Sequence, residues 1–100
     1  MEADILAKIQ QDYGSKTAPV LGLLKQLDAA IKGPNAKRVM RAALYLANGD
    51  LAVLHIKIKQ AKVDSRDILM QAEYSYPDNE RLRDFNSTFY ELGIIPQADH

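Results

Sequence analysis

At 100 residues, with 47% hydrophobic side chains, the chain is long enough for one domain with a single shared core that needs no metal or disulfide. It contains no cysteine, which excludes disulfides, thiolate nucleophiles and cysteine-based zinc sites. The 13 basic residues balance the 13 acidic ones, so no overall charge draws the protein to nucleic acid or to an anionic membrane.

The chain begins with an acidic and soon polar stretch, MEADILAKIQQDYG, residues 1–14. A secretory signal peptide would need a basic start followed by an apolar core, and this stretch has neither. No run approaches the roughly 18 apolar residues of a membrane-spanning helix. We therefore expect a soluble, cytoplasmic protein that does not associate with a membrane.

Charge is distributed unevenly along the chain. Residues 37–66 carry seven bases and two acids, whereas residues 67–100 carry seven acids and two bases. One interpretation is that neighbouring helices of one bundle neutralise each other at their rims. The other interpretations are that the two zones meet between subunits, or that the basic zone binds an anionic partner.

The first two predicted helices cover residues 2–13 and about 16–32. Apolar side chains recur at helical spacing in both and define their buried faces. They are Ile5, Leu6, Ile9 and Tyr13 in the first helix, and Val20, Leu24, Leu27 and Ile31 in the second. Gly33 and Pro34 predict the end of the second helix, because glycine allows a left-handed stop and proline prevents continuation.

The third predicted helix, residues 35–47, is apolar over more than half of its circumference and should be largely buried. Its remaining face is basic and carries one aromatic residue. This face consists of Lys37, Arg38, Arg41 and Tyr45, and it is extended by Lys57, Lys59, Lys62 and Arg66. Such cations can contact the phosphates of a nucleic acid, so this face is our candidate for anion or nucleic-acid binding.

The stretch GDLAVLHIKIKQAKVD, residues 49–64, fits two incompatible patterns. Leu54, Ile56 and Ile58 alternate with polar residues, as in a half-buried strand. The apolar residues at 51, 54, 58 and 61 also recur at helical steps. No other segment alternates convincingly enough to pair with a strand, and Gly49 and Asp50 suit a helix boundary, so we predict a helix.

This fourth predicted helix carries apolar residues on two faces. Leu51, Leu54 and Ile58 share one face, whereas Val53 and Ile56 lie on the opposite side. A helix of this kind is either central in its bundle or lies at a subunit contact.

Two more helices complete the predicted bundle. Asp64 caps the fifth, in which one arc carries Ile68, Leu69, Ala72 and Tyr76 and another carries Met70 and Tyr74. Pro77 opens a sixth, and its Leu82, Phe85, Phe89 and Leu92 form the clearest amphipathic stripe in the chain. Gly93 ends this helix, and residues 94–100 form a tail in which Ile94 and Ile95 are pinned.

Neither the glycine-containing stretch near residue 14 nor the two histidines predict a chemical site. YGSKTAP, residues 13–19, lacks the glycine spacing of a phosphate loop, and we expect a helix-starting loop capped by Ser15 or Thr17. His55 and His100 are the only histidines, too few for a zinc site in a chain without cysteine.

Acidic side chains give no clearer signal of catalysis. Asp64, Asp67 and Glu73 could gather in space, but helix capping and solvation explain them. No serine has a recognisable base and orienting acid beside it. We therefore predict a protein without enzymatic activity, without a cofactor and without a metal.

The segments RDILMQAEY and RLRDF resemble a family of small bacterial helical proteins of unknown function that share the arrangement GDL, D-x-R-D, AEY and RDF. The resemblance covers roughly the second half of the chain. It implies a compact helical fold and brings no activity, ligand or catalytic residue. From the residues themselves, we expect the ends of the last helices to be tied together by Arg66, Asp67, Arg81, Arg83 and Asp84, with one or two of them buried and paired.

These patterns predict an all-α fold, a compact bundle of five to six short and mostly antiparallel helices in a single domain, residues 1–100. Surplus apolar side chains at Val53, Ile56, Met70 and Tyr74 exceed what such a chain easily buries and form our candidate protein interface. They favour a small interaction or regulatory module that forms a homodimer or binds another protein. The alternative is a nucleic-acid-binding protein that uses the basic face of the third helix.

Overall fold

The computed structural model describes residues 1–31 and 33–96. Its helices are α1 (Ala3–Tyr13), α2 (Thr17–Ala30), α3 (Ala36–Ala47), α4 (Leu51–Val63) and α5 (Ser65–Glu73). One turn of 3-10 helix, Gly14–Lys16, joins α1 to α2 without a break. The all-α class and the helical bundle are confirmed, but the described residues form four continuous helical stretches instead of the predicted five to six. None of these helices has the length and apolar character needed to cross a membrane.

Helix α3 is the central element and contacts each of the other four α-helices. Small buried side chains on it, Ala42, Ala43 and Ala47, allow its neighbours to come close. Around them the core is built mainly from Ile5, Ile9, Val20, Leu24, Leu27, Val39, Leu44, Leu54, Ile58, Ile68, Phe85 and Phe89. The prediction that the third helix is largely buried is therefore confirmed.

The stretch with two competing patterns is helical, as predicted. The chain leaves α3 through Asn48 and Gly49, which both have positive φ, and Asp50 then begins α4. The Asp50 side chain accepts a hydrogen bond from the backbone N–H of Val53 over 3.2 Å, which is the expected N-cap. Leu54 is buried on one face of α4, whereas Ile56 is exposed on the other.

The predicted sixth helix is wrong, because residues 77–92 form turns and irregular backbone. Phe85 and Phe89 are buried as their stripe predicted, but Leu82 of the same stripe is 53% exposed. The buried rings therefore do not lie on one continuous helical face. The apolar spacing therefore located the two buried rings correctly, was wrong for Leu82, and assigned the wrong backbone to the whole stripe.

Side chains supply the physical reason for this difference, because they satisfy backbone N–H groups that a helix would bond to carbonyls. The N–H of Phe85 donates to the Glu73 carboxylate over 2.8 Å, and that of Phe89 donates to Asp4 over 2.9 Å. Nearby, the N–H of Asn86 donates to Asp84 over 2.9 Å. Hydrogen bonds of this kind compete directly with a helix.

The end of the described chain is held against the bundle. Ile95 is buried and Ile94 is half-buried, and both pack on the core, as predicted. The rest of the predicted tail, residues 97–100 with His100, lies outside the described residues.

Candidate functional site

The predicted basic face of α3 is bound to carboxylates of the same chain. Lys37 pairs with Glu2 at the surface, with 2.7 Å between Nζ and Oε1. Arg38 makes a two-pronged contact with Glu73, in which its Nε lies 3.0 Å from Oε2. Arg41 is buried and makes a second two-pronged contact, with Asp4, at 2.8 and 3.1 Å.

Tyr45, the aromatic member of that face, is also engaged within the chain. Its ring packs on Phe85 with 5.3 Å between the ring centroids. The guanidinium of Arg83 lies 4.7 Å from the centroid of the Tyr45 ring and donates a hydrogen bond to the Ala72 carbonyl. A cation over an aromatic ring is a favourable contact. Tyr45 and Arg83 therefore hold the irregular C-terminal segment, residues 77–92, against α3 and α5.

Glu73, the last residue of α5, is the most deeply buried carboxylate among the described residues, with 0% exposure. Besides Arg38, its oxygens accept the N–H of Phe85, and Arg81 lies 3.4 Å from Oε1. Burial by itself would raise the pKa of Glu73, but the bonds from Arg38 and Phe85 and the charges of Arg38 and Arg81 together lower it. Glu73 is therefore held as a carboxylate.

Asp4, in the first turn of α1, forms the equivalent site with Arg41, about one turn further along the same face of α3. Its Oδ2 accepts both Arg41 Nε and the N–H of Phe89. Burial acts to raise the pKa of Asp4, and the bonds from Arg41 and Phe89 with the Arg41 charge outweigh it, so the pKa is lowered. Arg41 also donates to the Phe85 carbonyl over 3.2 Å, which joins the two sites.

These two buried clusters fit a structural role. A general acid or base at neutral pH needs a pKa near the working pH, and Asp4 and Glu73 are shifted in the opposite direction. Their hydrogen bonds go to arginines and to backbone N–H groups of residues 85 and 89. These hydrogen bonds hold the irregular C-terminal segment against the helices.

Sequence reasoning missed both carboxylates. It assigned Glu73 to capping and solvation, which is wrong, because Glu73 is fully buried. The available signal was its position four residues after Leu69, which places Glu73 beside the apolar arc of Ile68, Leu69 and Ala72 in α5. By contrast, Asp64 and Asp67 are exposed, and Asp64 caps α5 by accepting the N–H of Arg66 over 3.1 Å, as predicted.

The predicted ties among the last residues are formed in part. Arg81 pairs with Asp84 over 3.1 Å, and Arg83 binds the Ala72 carbonyl. Arg66 is exposed and pairs only with the nearby Asp64 among the described residues. The buried ion pairs are instead made by Arg38 and Arg41 of α3, with Glu73 and Asp4. These pairs connect the basic zone of the sequence to acidic residues of the same chain.

The four residues of the predicted interface fall into two places. Ile56 and Met70 are exposed, at 53% and 47%, whereas Val53 and Tyr74 are half-buried. Ile56 lines shallow grooves along α4, and Met70 and Tyr74 line a separate one with Tyr76. None of these grooves contains both Ile56 and Met70.

We use the name α4 face for the exposed side of α4 that carries Ile56, Lys59, Lys62 and Val63. Val63 is 87% exposed and lies seven residues, or two turns, after Ile56. Neither Lys59 nor Lys62 forms an ion pair among the described residues. The surface is thus an aliphatic stripe beside two lysines that have no acidic partner in the described chain.

A groove of about 340 Å³ lies beside the α4 face and reaches to α2, and we call it the basic groove. Its lining is aliphatic and basic, without an acidic residue. It consists of Leu23, Gln26, His55, Ile56, Ile58, Lys59 and Lys62. His55 is exposed at its edge.

Residues 75–80, which follow α5, form a closed loop that we call the Tyr76 loop. The N–H of Ser75 donates to the Glu80 carbonyl over 2.8 Å, and the N–H of Asn79 donates to the Ser75 carbonyl over 3.0 Å. The Ser75 hydroxyl also accepts the N–H of Glu80. Tyr76 is 95% exposed on this internally bonded loop.

The remaining motifs of the sequence contribute no further site. Residues 14–16 form the helical connection between α1 and α2, and the Thr17 hydroxyl donates to the Gly14 carbonyl over 2.6 Å. Within residues 1–31 and 33–96, no group of three or more histidine and carboxylate side chains is placed to hold a metal ion.

No protein-family model, no curated protein and no solved structure matches this chain.

Proposed function

We propose that this protein is a non-enzymatic interaction module that binds a partner protein through its α4 face. The observation that carries the proposal is the exposure of two aliphatic side chains, Ile56 and Val63, two helical turns apart on one face of α4. Their exposure leaves apolar surface in water that a partner can bury.

The surroundings of these two residues support a binding surface. Protein interfaces combine an apolar centre with a polar rim, and Lys59 and Gln60 supply polar groups beside Ile56 and Val63. Lys59 and Lys62 add positive charge on the side of the basic groove, where they favour an acidic partner, whereas Asp64 and Asp67 line the groove on the side of Val63. A homodimer is one form that such an interaction can take.

Several finer expectations accompany this proposal and stay predictions. They are the antiparallel packing of neighbouring helices, a cytoplasmic location, a single domain and membership in the small bacterial family that the second half resembles. The three-residue connection between α3 and α4, residues 48–50, favours antiparallel packing of those two helices.

Nucleic-acid binding through the basic face of α3 also stays a prediction, with less support. Lys37, Arg38 and Arg41 each bond to a carboxylate of this chain, so phosphate contacts would have to replace those bonds. Anisotropy measurements with mixed DNA and RNA at low salt test it, because phosphate binding weakens steeply as salt is added.

The interaction proposal is tested by Ile56→Glu with Leu82→Glu as the matched control. Both side chains are 53% exposed, but Leu82 lines none of the grooves described above. Light scattering would report self-association. A photo-crosslinking residue in place of Gln60 would capture other partners in extracts of the source cells.

We expect Ile56→Glu to abolish self-association or capture, while Leu82→Glu retains it. Circular dichroism should show both variants to be folded, since an exposed substitution perturbs the core little. A wild-type chain that is monomeric at all micromolar concentrations and captures no Ile56-dependent partner would contradict the proposal.

A further inference from the structure

We propose that the basic groove of one chain binds the Tyr76 loop of a second copy, with the Tyr76 ring inserted between the aliphatic walls of the groove. This inference rests on the proposed function, because the groove borders the α4 face. It names the partner as another copy of the same chain and names the segment that docks.

The groove has the chemistry of an acceptor for an acidic aromatic segment. Leu23, Ile56 and Ile58 provide aliphatic walls, while Lys59 and Lys62 provide two positive charges without an acidic neighbour in the lining. Its volume of about 340 Å³ is at the small end of the roughly 300–1,000 Å³ typical of binding pockets, a size suited to a single ring. Lysine ammonium groups at its edge can also lie over an aromatic face.

The Tyr76 loop has the complementary chemistry. Its tip presents a tyrosine that is almost fully exposed, and Asp78 and Glu80 beside it give a formal charge of −2. Neither acid forms an ion pair among the described residues, whereas the neighbouring Arg81 is already paired with Glu73 and Asp84. The negative charge of the loop is therefore free to meet the two lysines of the groove.

The loop is also ordered before it binds. The hydrogen bonds from Ser75 and Asn79 close it, and Tyr74 forms an isolated bridge with Arg81 at its base. Binding a segment that is already ordered loses little conformational entropy, so more of the contact energy appears as affinity. Tyrosine is also among the residues that most often dominate the energy of an interface.

Charge argues against the simplest alternative, a two-fold dimer that packs α4 against α4. A two-fold contact whose axis passes near Lys59 and Lys62 would bring these lysines close to their own counterparts, because residues at the axis face the same residues of the partner copy. Like charges placed opposite each other disfavour association. A loop-to-groove contact instead pairs unlike charges and is head-to-tail, which builds rings or chains of copies rather than a symmetric pair.

A complementation experiment tests this arrangement. Tyr76→Ser removes the ring and leaves the groove, whereas Lys59→Glu reverses charge in the groove and leaves the loop. Tyr76→Phe and Lys16→Glu are matched controls, since Lys16 is exposed in the α1–α2 connection, away from both surfaces. Sedimentation equilibrium at low and high salt measures the mass of each chain alone and of the two defective chains mixed.

The wild-type mass should rise with concentration, more strongly at low salt. Tyr76→Ser should raise the dissociation constant about 30-fold or more, as expected for the loss of a dominant interface residue. Each defective chain alone should be monomeric. Their mixture should form a complex of twice the chain mass and no larger, because each variant keeps one half of the contact.

Four results overturn the inference. They are a wild-type chain that stays monomeric, self-association of Tyr76→Ser at wild-type strength, a mixture that remains monomeric, and loss of association in both controls. If Ile56→Glu still abolishes capture of another protein in any of these cases, only the inference fails and the proposed function stands. If Ile56→Glu has no effect on any association, both fail.

Discussion

Asp4 accepts a hydrogen bond from the backbone N–H of Phe89, 85 residues further along the chain, over 2.9 Å. The same carboxylate oxygen binds Arg41 of α3, so one buried charge joins the first helix, the central helix and the C-terminal segment. This hydrogen bond explains why Phe89 is held in the core although its backbone is not helical. It also makes the bundle dependent on the ionised form of Asp4.

The first prediction concerns the Asp4 and Arg41 pair. Asp4→Ala leaves the buried Arg41 without its carboxylate and Phe89 without an acceptor, and we expect a loss of about 3–5 kcal/mol in the free energy of unfolding. Urea denaturation followed by circular dichroism measures it. The control is Glu2→Ala, which breaks the exposed pair with Lys37 and should cost far less, because water and salt screen a surface ion pair. Equal effects of the two substitutions would mean that the buried pair is no stronger than the surface pair.

The second prediction concerns the dependence of stability on pH. The pKa values of Asp4 and Glu73 are lowered from their ordinary 3.8 and 4.5, so the unfolded chain binds protons at a higher pH than the folded chain does. Their contribution is complete above the unfolded values and is lost as the pH falls through the folded ones. We expect a free energy of unfolding that is nearly level from about pH 7 to 5 and falls steeply below about pH 4.

Urea titrations at a series of pH values measure this curve, and Glu73→Gln supplies its control. That variant should be less stable at neutral pH, because Arg38 loses its charged partner. Its stability should also fall less steeply in acid, because one of the two titrating carboxylates is gone. A slope unchanged from that of the wild type would show that Glu73 does not control acid sensitivity.

The third prediction concerns the irregular C-terminal segment as part of the core. Phe89→Ala removes a fully buried ring that packs on Phe85, with 6.0 Å between ring centroids, and we expect a loss of about 3–5 kcal/mol in the free energy of unfolding. Leu82→Ala, in the same segment but half exposed, should cost about 1 kcal/mol or less. Thermal unfolding of both variants compares them. Similar melting temperatures would indicate that the segment does not contribute to the core.

The fourth prediction concerns the start of α4. Asp50→Ala removes the side chain that accepts the N–H of Val53, and the loss of an N-cap should lower the free energy of unfolding by about 0.5–2 kcal/mol. Asp50→Asn keeps a side-chain acceptor and should retain most of that stability. Chemical denaturation of the three chains gives the comparison. If alanine and asparagine destabilise equally, the charge of Asp50 and not its capping bond is what matters.

Sequence periodicity predicted a helix correctly where the apolar pattern and the residues at its ends both favoured a helix. The stretch 49–64 is predicted to be helical because Asp50 offers a cap and no partner strand is available, and α4 begins at that cap. Periodicity failed for residues 77–92, where Phe85 and Phe89 have helical spacing but their N–H groups bond to carboxylates from distant helices. The spacing of apolar residues predicts which side chains are buried. It does not predict that carboxylates distant in the sequence will accept the backbone N–H groups that a helix would use.

The candidate surfaces divide in the same way. The sequence indicated that Ile56 lies on a second apolar face of α4, since that follows from angular position on one helix. It could not place the basic groove or the partners that hold Glu73 in the core, because each depends on how separate segments pack.

The sequence by itself determined the all-α class, the approximate positions of the helices through α5 and most apolar residues of the core, because these follow from local spacing and capping. It was wrong for Tyr76, which was assigned to the fifth helix but lies 95% exposed beyond the end of α5 at Glu73. Tertiary structure decided which charges are buried. The sequence predicted that Arg38 and Arg41 belong to a surface that binds an external anion. The fold instead places the carboxylates of Glu73 and Asp4 against them. A charge can leave water only where a partner is held at hydrogen-bonding distance, and that partner is supplied by packing across the whole chain.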